Sequence, residues 1–433
     1  MTSSVAALAL VTSALLCVVP APSAGAAGDV VGAGSEPAPV IPASGRVINV
    51  PGDAKTIQAG VDLARPGDLV LIAPGVYREA VVVATDGIVL RGADRNRTIL
   101  DGEFRRENGV RVAGADGVTV ENLTARNYTY NGFLWTGVRG YRGSYLTAYR
   151  NGDYGVYAFD SQWGTFEHSY ASGSPDSGFY IGQCNPCHAV INDVVAEHNQ
   201  LGYSGTNAGG DLHIVQSVWR SNRAGIVPNS LDDEELAPQG DAIIAANRVD
   251  GSGSAPRRSA TASEGVDFLF GAGIVIIGGS NNLVSRNVLE GNATVGIVVV
   301  PNPGLLGQTA YPATDNKIVD NTVHGSDVAD LAVVLPSAGD GNCFTGNTAA
   351  TTAPTGLQAL APCSERGSAD LSTAPGQLDV AQFLDTSDNP PGVSYRRTPV
   401  PSKQPTMPNA KKAKVSPAGA PVVPALASLQ VPR

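Results

Sequence analysis

The sequence predicts an all-β chain, a single-stranded right-handed parallel β-helix with a short N-terminal capping helix. Three observations carry that reading. The first is a repeat: Gly132, Gly155, Gly178, Gly202 and Gly225 each open a short run such as Gly-Phe-Leu-Trp or Gly-Val-Tyr-Ala, at steps of 23, 23, 24 and 23 residues. Gly273 and Gly296, each opening Gly-Ile-Val, are again 23 apart, and the 48 residues from Gly225 to Gly273 fit two further steps with a small insertion. The second is local: apolar positions alternate over only three to five residues, as in Val118–Leu123 and Ala189–Val195, between Gly, Asn, Asp and Ser. Alternation this short, bounded by turn formers, reads as strands. The third is composition, since 51 glycines and 6% aromatic residues suit many turns around a narrow aliphatic interior. A unit of this length cannot bury a core alone and must stack on its neighbours. Each coil then advances by about 4.8 Å, the spacing of adjacent strands. Helical repeats would need longer periods with apolar residues three and four apart, and leucine-rich repeats a leucine scaffold; this chain uses Val, Ile and Gly.

In chain order, Val5–Val19 is an apolar segment of signal-peptide length, and Ala24-Gly25-Ala26 offers a small-residue cleavage site. Residues 1–26 are therefore expected to be a signal peptide, although Met1–Ser4 carries no Lys or Arg. A Gly, Ala and Pro linker follows over 27–45. Thr56–Ala64 places apolar residues at 57, 61, 63 and 64, suited to a short helix covering the open end of an apolar bore. Pro66-Gly67-Asp68 stops it, and Leu69–Ala73 and Ala80–Val83 alternate as strands. The segments Thr56-Ile-Gln-Ala, Pro66-Gly-Asp, Pro74-Gly-Val-Tyr-Arg-Glu and Leu90-Arg-Gly resemble the N-terminal part of pectate-lyase-like β-helix proteins of the secreted bacterial type, a part that pectinesterases share. That resemblance implies a β-helix domain over 46–363 and a polysaccharide partner.

Asn recurs near the turns, at 122, 151, 192, 222, 287, 292, 321 and 347, where stacked side chains can bond along the rod. Two insertions, the acidic Leu231–Ala237 and Gly251–Glu264, are expected as surface loops. Beyond Ser364 the pattern dissolves into a Pro-rich stretch with Lys411, Lys412 and Lys414, read as a disordered tail over 364–433.

The net charge of −10 argues against nucleic acid, and no long apolar run follows the leader to span a membrane. A secreted monomer is expected. Without Cys17 the chain keeps Cys184, Cys187, Cys343 and Cys363, an even number that suits disulfides 184–187 and 343–363 in an oxidising compartment. Cys184-Asn-Pro-Cys187-His188 also has the form of a c-type haem attachment motif or a redox dithiol.

Aligning the units on their glycines gives columns. One residue after Gly (Phe133, Val156, Phe179, Tyr203, Ile226) should face the bore, and two after it (Tyr157, Tyr180, Ser204) should face out. Five after it stand Asp160, Gln183, Asn207 and Ser230; two before it stand Asp153 and Asp176. The candidate site is this outward patch, with Asp153, Asp160, Asp176 and Tyr157 as catalytic residues and Tyr180, Gln183 and Asn207 as substrate-binding residues. Tyrosine faces stack on sugar rings, amides and carboxylates bond hydroxyls, and close carboxylates differ in proton affinity as acid and base roles require. No lysine lies between Lys55 and Lys317, so a lysine base is excluded there, leaving Arg150 or Tyr157 as substitutes. No metal cluster has clear spacing, although Ca²⁺ would be needed if a uronate chain entered an acidic groove.

Val266-Asp-Phe-Leu-Phe-Gly271 resembles the pectinesterase signature, with Asp267 at the nucleophile's position, but the later Leu-Gly-Arg-Pro-Trp is missing. Two functional readings stand. One is a secreted lyase, epimerase or glycosidase acting on an extracellular polysaccharide; the other is a non-catalytic β-helix that binds a glycan or cell surface through the same face.

Overall fold

The computed structural model describes residues 36–253, 268–304, 308–334, 341–365, 371–378 and 389–433 of the 433-residue chain. The expected signal peptide, Asp267 and most of the Gly251–Glu264 insertion lie outside the described residues. Among the described residues the chain winds through three sheets of 12, 11 and 10 strands, in which each strand pairs with the one a full turn earlier and a full turn later. All pairings between these strands are parallel, and the register is direct: Phe133 lies beside Val156, Val156 beside Phe179, Phe179 beside Tyr203 and Tyr203 beside Ile226. One coil consists of a strand of the eleven-stranded sheet such as Phe133–Thr136, one of the twelve-stranded sheet, Arg139–Ser144, and one of the ten-stranded sheet, Thr147–Tyr149. The β-helix read from the 23-residue period is the fold.

The glycine-plus-one column lines the bore, and all five of its residues are buried. The interior is less uniformly aliphatic than composition implies. In the middle coils Trp135, Tyr141 and Phe166 pack together with ring centroids 5.4–6.2 Å apart, and Phe179, Tyr203 and Trp219 continue the stack. Gly164 makes room for this, because a Cβ there would lie 1.7 Å from the Tyr141 ring.

The N-terminal end is plugged by a helix, Ile57–Leu63, whose Thr56 hydroxyl accepts the amide of Ala59 at 3.1 Å. The Glu79 carboxylate accepts the Ile57 and Gln58 amides of its first turn, a favourable place for negative charge. Ile57 and Val61 are buried over the bore; Leu63, expected inward, is half exposed. A second short helix, Leu357–Leu360, covers the other end with Leu357.

The linker and the tail depart from expectation. Within the linker, the Glu36 carbonyl accepts the Trp163 indole N–H at 2.9 Å, and Ile41 lies against Gly87. Residues 389–433, read as part of a disordered tail, lie against the coils. Arg223 donates to the Pro390 carbonyl, Arg150 to Thr398, Arg95 to Pro405, and Arg91 to Ala410, Ala413 and Lys414. Leu429 then packs with Val190, Val215 and Ala245. This stretch includes the short 3-10 helices Tyr395–Arg397 and Leu426–Ser428, and its composition gave no sign of the docking, because the partners are main-chain carbonyls that every residue owns.

The asparagine column is a ladder over the C-terminal coils. Asn287 Oδ1 accepts the amide of Asn247 at 2.9 Å, Asn321 Oδ1 that of Asn287 at 3.0 Å, and Asn347 Oδ1 that of Asn321 at 2.9 Å. Each side-chain N–H also reaches a carbonyl of the preceding coil, as Asn287 does with Ile244. Gln358 of the C-terminal helix ends the ladder on Asn347. Asn192 stands outside it, its Oδ1 buried without a partner. Replacing Asn287 by Ala strands a buried amide and a carbonyl, and is expected to cost about 1–3 kcal/mol per orphaned group. Equilibrium urea unfolding of N287A beside the exposed control Asp62→Ala measures it.

Candidate active site

The turn before each strand of the eleven-stranded sheet brings the residues two before Gly into a stack. Asp176 donates its amide to the carbonyl of Asp153 at 3.3 Å, so these two aspartates sit one above the other. The next residue along the chain is Tyr154 in one coil and Ser177 in the following one. The Tyr154 hydroxyl donates to Asp176 Oδ2 at 3.0 Å and the Ser177 hydroxyl to Asp176 Oδ1 at 2.6 Å; Ser204 Oγ lies 2.6 Å from Ser177 Oγ. Asp153 makes no side-chain hydrogen bond among the described residues.

The outward column brings two tyrosines beside these carboxyls, and Tyr154, from the column one before Gly, joins them. Tyr157 and Tyr180 are register partners, 4.8 Å apart between ring centroids, and Tyr154 stacks on Tyr157 at 4.4 Å. Gly182 lets the Tyr180 ring lie flat along its own strand, since a Cβ there would fall 2.2 Å from the Tyr180 hydroxyl. The patch is less open than alternation predicts: Tyr157 is half-buried and Tyr180 only 2% exposed. The acidic loop Leu231–Ala237 covers it, with the Tyr180 hydroxyl donating to the Glu234 carboxylate.

Gln183 and Asn207 hold this loop in place of a sugar. The Gln183 side-chain oxygen accepts the Glu235 amide at 3.0 Å. The Asn207 amide donates to the carbonyls of Leu231 and Glu234 at 2.7 and 2.6 Å and accepts the Leu231 amide at 3.1 Å. Both side chains therefore hold the loop that carries Glu234, contacts that the sequence columns did not predict. Asp160 shares their left-handed turn, with φ of 47° against 48° and 49°, at the far end of strand Val156–Phe159 from Asp153. It stands apart from the Asp153–Asp176 pair. Arg150 is also removed from the site, its guanidinium donating to the Thr398 carbonyl at 2.7 Å.

Burial controls the proton affinities. Desolvation, then the charge of Asp176, pushes the Asp153 carboxyl up to about 8. Desolvation also pushes Glu234 up to about 8, with Asp176 adding to the rise despite the Tyr180 hydrogen bond. Asp176 is raised by burial too, but the hydroxyls of Ser177, Tyr154 and Ser204 favour its charged form and hold the rise back. The three tyrosines, desolvated and beside these acids, are held well above their ordinary range. Tyr157 is thus a proton donor at neutral pH rather than the base it was expected to replace. None of the three carboxyls has an ion pair among the described residues.

Sequence reading missed Tyr154, Ser177 and Glu234. Tyr154 adjoins Asp153 as Ser177 adjoins Asp176, so the column one before Gly carried a signal. Glu234 carried none, because only the folded loop brings it back over Tyr180, 54 residues away in sequence.

Among the described residues no three carboxylates, histidines or cysteines converge to hold a metal ion. Cys184 is bonded to Cys187 and Cys343 to Cys363, the expected pairs. That bond leaves neither sulfur of the haem-like motif for a thioether, and His188 instead stacks on Trp163 with its Nδ1 2.9 Å from Asp211.

Two outcomes follow from this geometry. Gly182→Ala should displace the Tyr180 ring and release the Glu234 contact while leaving the bore intact, seen as increased tyrosine accessibility to solvent quenchers with little change in Tm. Because Asp153 and Glu234 bind protons more tightly folded than unfolded, their contribution to stability is full below the ordinary carboxyl range. It is lost as pH rises from about 4 to about 8. Urea unfolding across that window should show falling stability in the native chain and a flatter profile in D153N/E234Q.

Comparison with known proteins agrees on the fold. Residues 86–234 match the family described as right-handed beta helix region. No curated protein matches the sequence. Among solved structures, the A-module of the Azotobacter vinelandii mannuronan C-5 epimerase AlgE4 superposes with a TM-score of 0.52 at 15% identity, covering 67% of this chain and 90% of that one. An alginate lyase from Paenibacillus sp. str. FPU-7 gives 0.46 at 14% identity, over 70% and 99% of the two chains. At such identities the likeness is one of fold. The chain is a right-handed parallel β-helix repeat protein, pectate-lyase-like in architecture.

Proposed function

We propose that this chain is a secreted glycosidase that hydrolyses a neutral extracellular polysaccharide in the groove formed by Tyr154, Tyr157 and Tyr180. The observation that carries the reading is the stacked pair Asp153 and Asp176, two carboxyls in contact surroundings that treat their protons differently. Asp153, desolvated and without a side-chain hydrogen bond among the described residues, is protonated at neutral pH and suits a general acid. Asp176, bonded by Tyr154 and Ser177, is the better carboxylate and suits the nucleophile, since stacking one coil from Asp153 puts the pair about 5 Å apart, the spacing of the two-step geometry. In this scheme the Asp153 proton passes to the glycosidic oxygen as the C–O bond breaks and Asp176 bonds to the anomeric carbon; water then displaces Asp176 from that carbon and returns its proton to Asp153. The accessible parts of Tyr154 and Tyr157 supply the stacking surface for the sugars, and Tyr180, covered by the acidic loop, bounds the groove.

No cation is paired with the three acids among the described residues, and the charge that Asp176 carries as the better carboxylate would repel a uronate, which favours a neutral polymer. Disulfides and the leader-like residues 1–26 support export. Expected outcomes are turnover of a neutral glycan with an activity limb near pH 8, where Asp153 loses its proton, and a fall of about 10²–10⁴ in kcat in D153N and D176N. Reducing-end release from a panel of neutral and uronate polysaccharides tests this. Retained glycan binding without turnover by the native chain would replace it with the non-catalytic reading.

A further inference from the structure

The outward column of the eleven-stranded sheet changes character along the rod. It runs through the register partners Val82, Arg111, Leu134, Tyr157, Tyr180, Ser204 and Val227. Val82 is 46% exposed and Arg111 is exposed, whereas Tyr180, Ser204 and Val227 are 2%, 5% and 1% exposed. Beyond Val227 the same face is covered, in a cluster that includes Leu269 and Leu378. Between them Leu134 is 9% exposed and Tyr157 half-buried, so the face is open at Val82 and Arg111 and closes over the next coils to Tyr180.

What shuts it is pinned on both sides. Asn207 and Gln183 hold the backbone of Leu231, Glu234 and Glu235 from below. Asp232 accepts the Thr309 amide and the Tyr311 hydroxyl from a later coil. Glu234 ends the alley, with Oε1 on the Tyr180 hydroxyl and Oε2 buried without a hydrogen-bond partner. A buried carboxyl oxygen with no partner is costly whether or not it carries the proton, and a sugar hydroxyl, which both donates and accepts, would satisfy it. A terminal sugar carries such a hydroxyl at the position where an internal sugar continues into the next unit of the chain, which the loop at the closed end would obstruct.

We infer that the groove is a blind alley that recognises the end of a glycan chain at Glu234, so that the enzyme removes short units from one terminus rather than cutting internally. This rests on the hydrolytic reading above and adds the mode of action. From Val82 to Tyr180 is four coil steps, roughly 19 Å at the strand spacing, which holds a short run of sugars. The loop bears specificity through Glu234, and Gln183 and Asn207 are its positioning residues.

The test uses the mature chain on the neutral polysaccharide it hydrolyses, following viscosity and reducing ends together, with a cyclic oligosaccharide of the same linkage alongside its linear counterpart. End recognition predicts accumulation of one short product, slow loss of viscosity, and cyclic substrate cleaved at least about tenfold slower, the factor produced by one lost hydrogen bond of ordinary strength. Asn207→Ala, its folding checked by circular dichroism, should free the loop and produce a mixture of internal products. Early collapse of viscosity, or equal rates on ring and linear chain, overturns the blind alley and leaves hydrolysis standing. No hydrolysis of any glycan, with no binding of linear oligosaccharide by D176N in calorimetry, overturns both.

Discussion

Parallel strands a full turn apart, bonded in direct register, are the constraint on which every other feature of this chain depends. A coil of 23 residues has too little apolar surface to fold by itself, so its strands gain their main-chain partners only from the coils above and below. Once register is set, residues at the same place in successive units lie side by side. That single condition produces the buried aromatic column, the asparagine ladder and the Asp153–Asp176 stack alike. A slip of one residue would turn the tyrosines into the bore and Phe179 out to solvent.

The same stacking explains how acidic groups come to be partly buried on the outside of a rod. An isolated strand face would leave Asp153 and Asp176 in water with ordinary acidity. Aromatic rings in adjacent coils and the returning loop remove that water, and desolvation then favours the neutral acid. The cost is partly offset by hydroxyl donors on Asp176, which separates the two otherwise similar carboxyls. Small residues matter here through the space they leave. Gly182 admits the ring of Tyr180 outside, as Gly164 admits Tyr141 inside.

The C-terminal segment adds a different kind of contact. Arg95 is buried where the coils turn, donating to Thr147 Oγ1 at 2.7 Å, to the His168 carbonyl at 2.9 Å and to Pro405 at 2.8 Å. Desolvation lowers its affinity for a proton to about 9, yet this ring of acceptors keeps the cation bonded. Arg91, paired with Glu121 at 2.5 Å, holds Ala410 to Lys414 in the same manner. A proline-rich peptide lacks many amide donors of its own, so its free carbonyls suit guanidinium groups projecting from the coils.

The sequence alone determined the repeat, and with it the winding, the inward and outward columns, the capping helix and the cysteine pairs, because each of these follows from spacing within or between adjacent units. That Asp153 lies beside Asp176 and Tyr157 beside Tyr180 was legible for the same reason. Only the tertiary structure decided that Tyr180 is covered, that Gln183 and Asn207 serve a loop, that Asp160 stands apart, and that Glu234 joins the acids. Those facts depend on where an insertion of irregular backbone returns to the rod. Periodicity is silent there, since a loop's path is fixed by a few long-range hydrogen bonds rather than by any pattern in the residues that make it.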